Sequence, residues 1–81
     1  MPDDDVMSRV IRVIAETQRV PVETIKPEST FEELKIDSLD GINIVFGIEN
    51  EFGINIPDDA AKSLRSVSDV AMGVEKLLAG T

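Results

Sequence analysis

The sequence predicts an all-α protein: a small four-helix bundle with a long first loop and a short third helix. Three observations carry this expectation. Apolar residues recur at helical spacing in three separate segments. Pro57-Asp58-Asp59 opens a fourth, shorter helix. The one alternating run, Ile54-Asn55-Ile56, is too short ahead of Pro57 to make a useful strand. With 81 residues the chain is a single domain, 1–81, with ends at 1–4 and 79–81 expected to fray. A domain this small buries only roughly 60–65% of its unfolded surface, so its core is modest.

The first helix is expected from Asp5 to Thr17. Val6, Val10, Val13, Ile14 and Thr17 share a face, and the acids Asp3 to Asp5 sit where a helix dipole favours them. Pro21 and Pro27 then break the chain, and the segment from Val20 to Ile36 is long for a loop in so small a domain. It has structure of its own. Thr30-Phe31-Glu32-Glu33 is a capping-box pattern opening a short helical turn, and Val22, Ile25, Phe31 and Leu34 are its apolar anchors. The second helix runs from about Ser38 to Phe52, with Asp37 as N-cap and Gly53 as stop. The short third helix extends from Pro57 through Ser63. Ser66-Val67-Ser68-Asp69 resembles another capping box, and Val67, Val70, Ala71, Val74, Leu77 and Leu78 form the stripe of the last helix.

Composition excludes several kinds of chemistry. There is no Cys and no His, which removes disulfides, thiolate nucleophiles, Cys/His zinc sites and the commonest general base. Any thiol chemistry must come from an attached group. No run approaches the roughly 20 apolar residues of a membrane span, and the N-terminus is acidic where a targeting peptide is basic. A cytoplasmic chain without membrane insertion is expected. Formal net charge is −8. Nine acids (Glu28, Glu32, Glu33, Asp37, Asp40, Glu49, Glu51, Asp58, Asp59) lie between Glu28 and Asp59 against one base, Lys35. The remaining seven acids balance the remaining seven bases, so the excess sits in mid-chain. Nucleic acid is excluded as a partner by sign. A basic protein surface is the natural complement, with plain solubility as the competing reading.

On a helical wheel the second helix carries two apolar stripes. One holds Ile44, Val45, Ile48 and Phe52, with Gly41 among them; the other holds Leu39, Ile42 and Phe46, with Ser38 and Glu49 at its margin. A bundle helix needs one stripe. Either the helix is packed on both sides, with the long loop covering the second, or Leu39, Ile42 and Phe46 face a partner. The flanking acids and the serine at the helix start favour the partner. Ser38 itself, beside Asp37 at a helix start, reads most simply as part of a cap.

The surroundings change that reading. The segment Phe31-Glu32-Glu33-Leu34-Lys35-Ile36-Asp37-Ser38-Leu39-Asp40 resembles the attachment segment of acyl carrier proteins, in the stand-alone bacterial type II form. The stretch from Glu49 to Asp58 resembles that family's connection between second and third helices, and Ser66 to Val70 its last helix start. The match runs in consistent order from about Val6 to Leu78. The resemblance implies a carrier, not an enzyme. Its Asp-Ser-Leu serine, here Ser38, receives 4'-phosphopantetheine from coenzyme A through a phosphopantetheinyl transferase. The arm's thiol holds an acyl group as a thioester for fatty acid or related acyl biosynthesis. The resemblance also implies partner enzymes with basic docking surfaces, met here by Asp37, Asp40, Glu49 and Glu51 with Leu39, Ile42 and Phe46, on a monomeric carrier without a metal site.

Two departures bear on pathway. Asn43 and Asn50 stand where carriers of primary fatty acid synthesis usually have acids, and Gly41 and Gly47 weaken the helix. A specialised carrier for a polyketide, aminoacyl or lipid-modification route is therefore an alternative. An acidic protein-interaction module is the alternative outside the carrier class. A metal-binding protein is disfavoured, since no Asp-x-Asp-x-Asp-Gly loop with a later Glu is present.

Overall fold

The computed structural model describes residues 5–79. It is all-α, with helices α1 (Val6–Gln18), α2 (Ser38–Phe52), α3 (Asp58–Lys62) and α4 (Val67–Leu78). A single 3₁₀ turn, Val22–Thr24, interrupts the long first loop. Among the described residues no strand forms. One isolated antiparallel bridge joins Thr30 to Ser66.

Each long helix starts where a side chain can satisfy an otherwise unpaired N–H. The Asp5 carboxylate accepts from the Ser8 N–H at 2.7 Å, Asp37 from Asp40 at 2.9 Å and Ser66 from Asp69 at 3.2 Å. Asp3 and Asp4, expected beside the first cap, lie outside the described residues, as do the ends at 1–4 and 80–81. Helix α1 stops at Arg19 and α2 at Gly53, both left-handed, with φ of 59° and 65°. Glycine enters that conformation without a Cβ penalty.

The core lies where α1 crosses α2 and α4. Val10, Ile14, Ile44, Ile48, Val67, Val70 and Val74 are fully buried, with Val13, Ala15, Ile25 and Ala71 beside them. Full burial of one such side chain contributes about 1.5–3 kcal/mol. The contact of α1 with α2 is close because Gly47 presents no side chain: a Cβ there would lie 2.8 Å from Val13 Cγ1. At the far end of the same contact, Arg9 Nε donates to Glu51 Oε2 at 2.8 Å, and its terminal nitrogen donates to the Glu51 carbonyl at 2.9 Å. The guanidinium also lies over the Phe52 ring, 4.4 Å from its centroid.

The long loop is sewn to the start of α4. Phe31 N–H donates to Arg65 O, Val67 N–H to Ser29 O, and both the N–H and hydroxyl of Ser68 to Pro27 O. The expected capping box forms reciprocally: Thr30 N–H donates to Glu33 Oε1 and Glu33 N–H to Thr30 Oγ1, each at 3.0 Å. It closes a hydrogen-bonded turn, not an α-helix. The second expected box forms by half. Asp69 turns its carboxylate to the Arg65 N–H at 3.0 Å instead of returning to Ser66.

Three expected apolar anchors differ. Val22 is exposed, because the 3₁₀ turn that carries it lies at the surface. Leu78 is exposed and Leu77 only half-buried, because α4 reaches beyond the helices that cover its middle.

Candidate functional site: the head of α2 and the groove beside it

Three local signals place Ser38. The turn at Thr30–Leu34 ends at Lys35 with φ 58°, which reverses the chain into Ile36 and Asp37. Asp37, extended at φ −89°, supplies the cap through its carboxylate. Ser38 is then the first helical residue, exposed, with its hydroxyl left out of the cap. Asp37 is the N-cap that the sequence predicts, and its carboxylate, not Ser38, accepts the Asp40 N–H.

A groove of about 680 Å³ opens beside Ser38 and runs between α2 and α3. Its walls are mainly apolar, with Phe31, Ile36, Ile42, Val45, Ile56 and Leu64 prominent. Asp37 and Asp58 stand among its lining residues with Ser38. No motif in the sequence marks this groove. The available signal was a set of apolar residues outside any helical stripe, namely Ile36, Ile56 and Leu64.

The second stripe of α2 is not covered by the long loop. Leu39 is 72% exposed, Ile42 50% and Phe46 58%, an uncommon concentration of apolar surface on one helix. Asn43 and Asn50 are exposed on the same side. Asp37 is exposed and Asp40 half-buried near the head of this stripe. Glu49 and Glu51, expected on the partner surface, each also make a contact within the fold. Glu49 is half-buried and accepts from the Ile56 N–H at 2.7 Å, fixing the chain that leads to α3. Glu51 is half-buried on the α1 side, paired with Arg9. Among the described residues no group of three or more acids is arranged to hold a metal ion, and no helix is long and apolar enough to cross a membrane.

The site fits a phosphodiester-linked arm. Ser38 is exposed at the N-terminal end of α2, where unpaired N–H groups and the positive end of the helix dipole favour an anion. Asp37 and Asp40 offset part of that attraction. The groove offers an apolar refuge beginning at the same residue.

The head of α2 thus combines an exposed serine with an apolar groove beside it, and the comparisons with known proteins give the class of this bundle. Residues 8–72 match the family model for a phosphopantetheine attachment site. The chain is 37% identical over 71 residues to an acyl carrier protein of Thermosynechococcus vestitus, covering 86% of this chain and 88% of that one. It is 36% identical over 74 residues to a mitochondrial acyl carrier protein of Dictyostelium discoideum, covering 91% of this chain and 62% of that one. A third relative, the acyl carrier protein AcpXL of Rhizobium meliloti, is 58% identical over 50 residues, covering 60% and 53%. The chain belongs to the acyl carrier protein family, whose members bear 4'-phosphopantetheine. It is a carrier, not an enzyme; acyl carrier proteins in general are modified by a phosphopantetheinyl transferase and partner with acyl-processing enzymes.

Proposed function

We propose that Ser38 is the residue that carries the arm, and that the groove between α2 and α3 receives the acyl chain. The supporting observation is the continuity of the two: Ser38 is both the exposed first residue of α2 and a wall of the groove. The arm, when bound, supplies the terminal thiol that this sequence lacks. The chain's own residues do the rest. Ser38 Oγ becomes the ester oxygen, and Asp37 holds the helix head in place while leaving that oxygen free. Apolar walls shield the acyl group from water, and burial of each methylene favours the sheltered state.

Partner enzymes meet the carrier on Leu39, Ile42 and Phe46, with Asp37 and Asp40 facing basic docking residues. Glu49 and Glu51 add acidic charge to that surface while holding the Ile56 N–H and Arg9. Fatty acid or related acyl biosynthesis is the pathway class. Asn43 and Asn50 on the docking side favour a partner less basic than a highly acidic helix would require, and so a specialised carrier as the second reading. The protein acts as a monomer in the cytoplasm.

Incubation with coenzyme A and a phosphopantetheinyl transferase should add the mass of one arm to the wild type and none to Ser38→Ala. Attachment to Ser38→Ala would move the site. An unchanged wild-type mass across transferases of differing specificity would overturn the reading.

A further inference from the structure

We propose that Lys35 is the counter-charge for the phosphodiester that joins the arm to Ser38, holding the root of the arm against the turn that precedes α2. The proposal rests on the reading above, in which the arm is attached at Ser38.

Lys35 stands where its backbone does not suit a side chain. It closes the turn at Thr30–Leu34 with φ 58°. In that left-handed region a Cβ crowds the following carbonyl oxygen, a penalty that glycine escapes. Gly53 closes α2 in the same conformation without it. The strain at Lys35 is held from both sides: its N–H donates to Glu32 O at 3.1 Å, and Ile36 N–H donates to Phe31 O at 2.9 Å. Backbone strain of this kind gathers at functional positions. Arg19 shares the conformation, but it follows α1, whose negative dipole end favours a cation. Lys35 follows a single turn and has no such reason.

Nor does its side chain serve the fold. Lys35 is exposed, and among the described residues its ammonium makes no ion pair or hydrogen bond. Glu33, two positions back, is engaged elsewhere, accepting from the Thr30 N–H. What the ammonium lacks, the arm supplies. The chain from Lys35 to Ser38 passes through Asp37 in extended conformation, and three residues span at most about 11 Å. The ester link at Ser38 and the four-carbon stem of lysine together bridge that separation. Esterification also adds a negative charge beside Asp37 and Asp40. Between Glu28 and Asp59, Lys35 is the one residue of opposite sign. Two charges fixed to one short segment meet at high effective concentration. The pair is exposed, so salt weakens it.

The test uses the holo protein, with the arm confirmed by mass and mapped to its residue by peptide fragmentation. No arm, or an arm elsewhere, overturns the Ser38 reading and this one with it. At low ionic strength, side-chain protons of Lys35 should show cross-relaxation with the paired methyl groups next to the phosphate in the arm. The phosphorus resonance should move in Lys35→Gln and stay near its wild-type position in Lys35→Arg. Glutamine keeps the backbone strain and much of the stem, so the difference reads the charge. Wild type and Lys35→Gln should converge toward about 1 M salt, where the screening length falls to roughly 3 Å. Lys62 is the control, since it lines the groove with Ser38 from the last turn of α3. Lys62→Gln should leave the phosphorus resonance in place. A missing cross-relaxation together with a resonance indifferent to Lys35→Gln would overturn the contact and leave attachment at Ser38 intact. A displacement caused by Lys62→Gln alone would do the same. A Lys35→Gln carrier with an unmoved phosphorus resonance but slower use by a partner enzyme would assign the lysine to a carboxylate of that partner, against the proposal.

Discussion

Ile48 and Phe46 are two positions apart on α2 and have opposite surroundings. Ile48 is 0% exposed and Phe46 58%. Ile48→Ala removes packed volume that the core cannot refill and should cost about 2–5 kcal/mol in a denaturant melt. Phe46→Ala has little buried area to lose and should cost well under half of that. The Phe46 change should instead slow use of the loaded carrier by its enzymes, since aromatic anchors carry much of an interface. Equal losses of stability from the two variants would place Phe46 in the core. The two mid-helix glycines separate in the same way. Around Gly41 nothing lies within 4 Å of a Cβ position, so Gly41→Ala should stabilise by up to about 1 kcal/mol through helix propensity alone. At Gly47 the added methyl meets Val13 Cγ1 at 2.8 Å, and the strain of overpacking, about 1–3 kcal/mol, outweighs the same gain. Opposite signs for these two substitutions in one thermal-melt series are expected. The carboxyl of Asp5 adds a pH effect. Hydrogen bonding to the Ser8 backbone, then to its side chain, holds its pKa below the ordinary carboxylate value. Its support of α1 is complete above that ordinary value and fades as pH falls through the lowered one.

At the scale of elements, local signals were legible and distant ones were not. The limits of α2 follow from Asp37 and Gly53, which lie next to the helix and act on it directly. The 3₁₀ turn at Val22–Thr24 is too short to show a period. For the candidate site, the wheel separates Leu39, Ile42 and Phe46 from the core residues, because burial on α2 follows its helical period. It could not separate Glu49 and Glu51 from the other acids. Their partners are the Ile56 N–H, seven residues on, and Arg9, 42 residues back, and neither pairing has a sequence signature. The groove was hidden for the same reason, being formed by the loop, α2 and α3 together. The Arg9 contact is the element-level prediction. It ties α1 to the end of α2 by an ion pair, a bond to the Glu51 carbonyl and a ring contact. Both ionic side chains are about a third exposed, which limits the ion pair to a fraction of its value in a dry interior. Arg9→Ala should cost about 1–2 kcal/mol in total. Salt should weaken the wild type's advantage only partly, because the ring and stem contacts persist. A loss that vanishes entirely in high salt would assign the whole effect to charge.

For the molecule as a whole, the balance of sign is lopsided. Net charge is −8, and the excess lies between Glu28 and Asp59, a stretch that contains α2 and the start of α3. Self-repulsion should lower the melting temperature in dilute buffer, and moderate salt or millimolar magnesium should raise it. A melting temperature indifferent to both would mean that the charges are too dispersed to repel. The thin attachment of α3 has a kinetic counterpart. Because none of its five residues is buried and no side chain caps it, it can unfold while α1, α2 and α4 remain joined through Ile14, Ile48 and Val74. Amide hydrogens in α3 should exchange with solvent orders of magnitude faster than those of Ile14 or Ile48. Opening α3 therefore needs only the free energy of melting one helical turn. One wall of the groove can rearrange at the rate of a local fluctuation, while the lifetime of the folded protein is governed by a separate and much slower event.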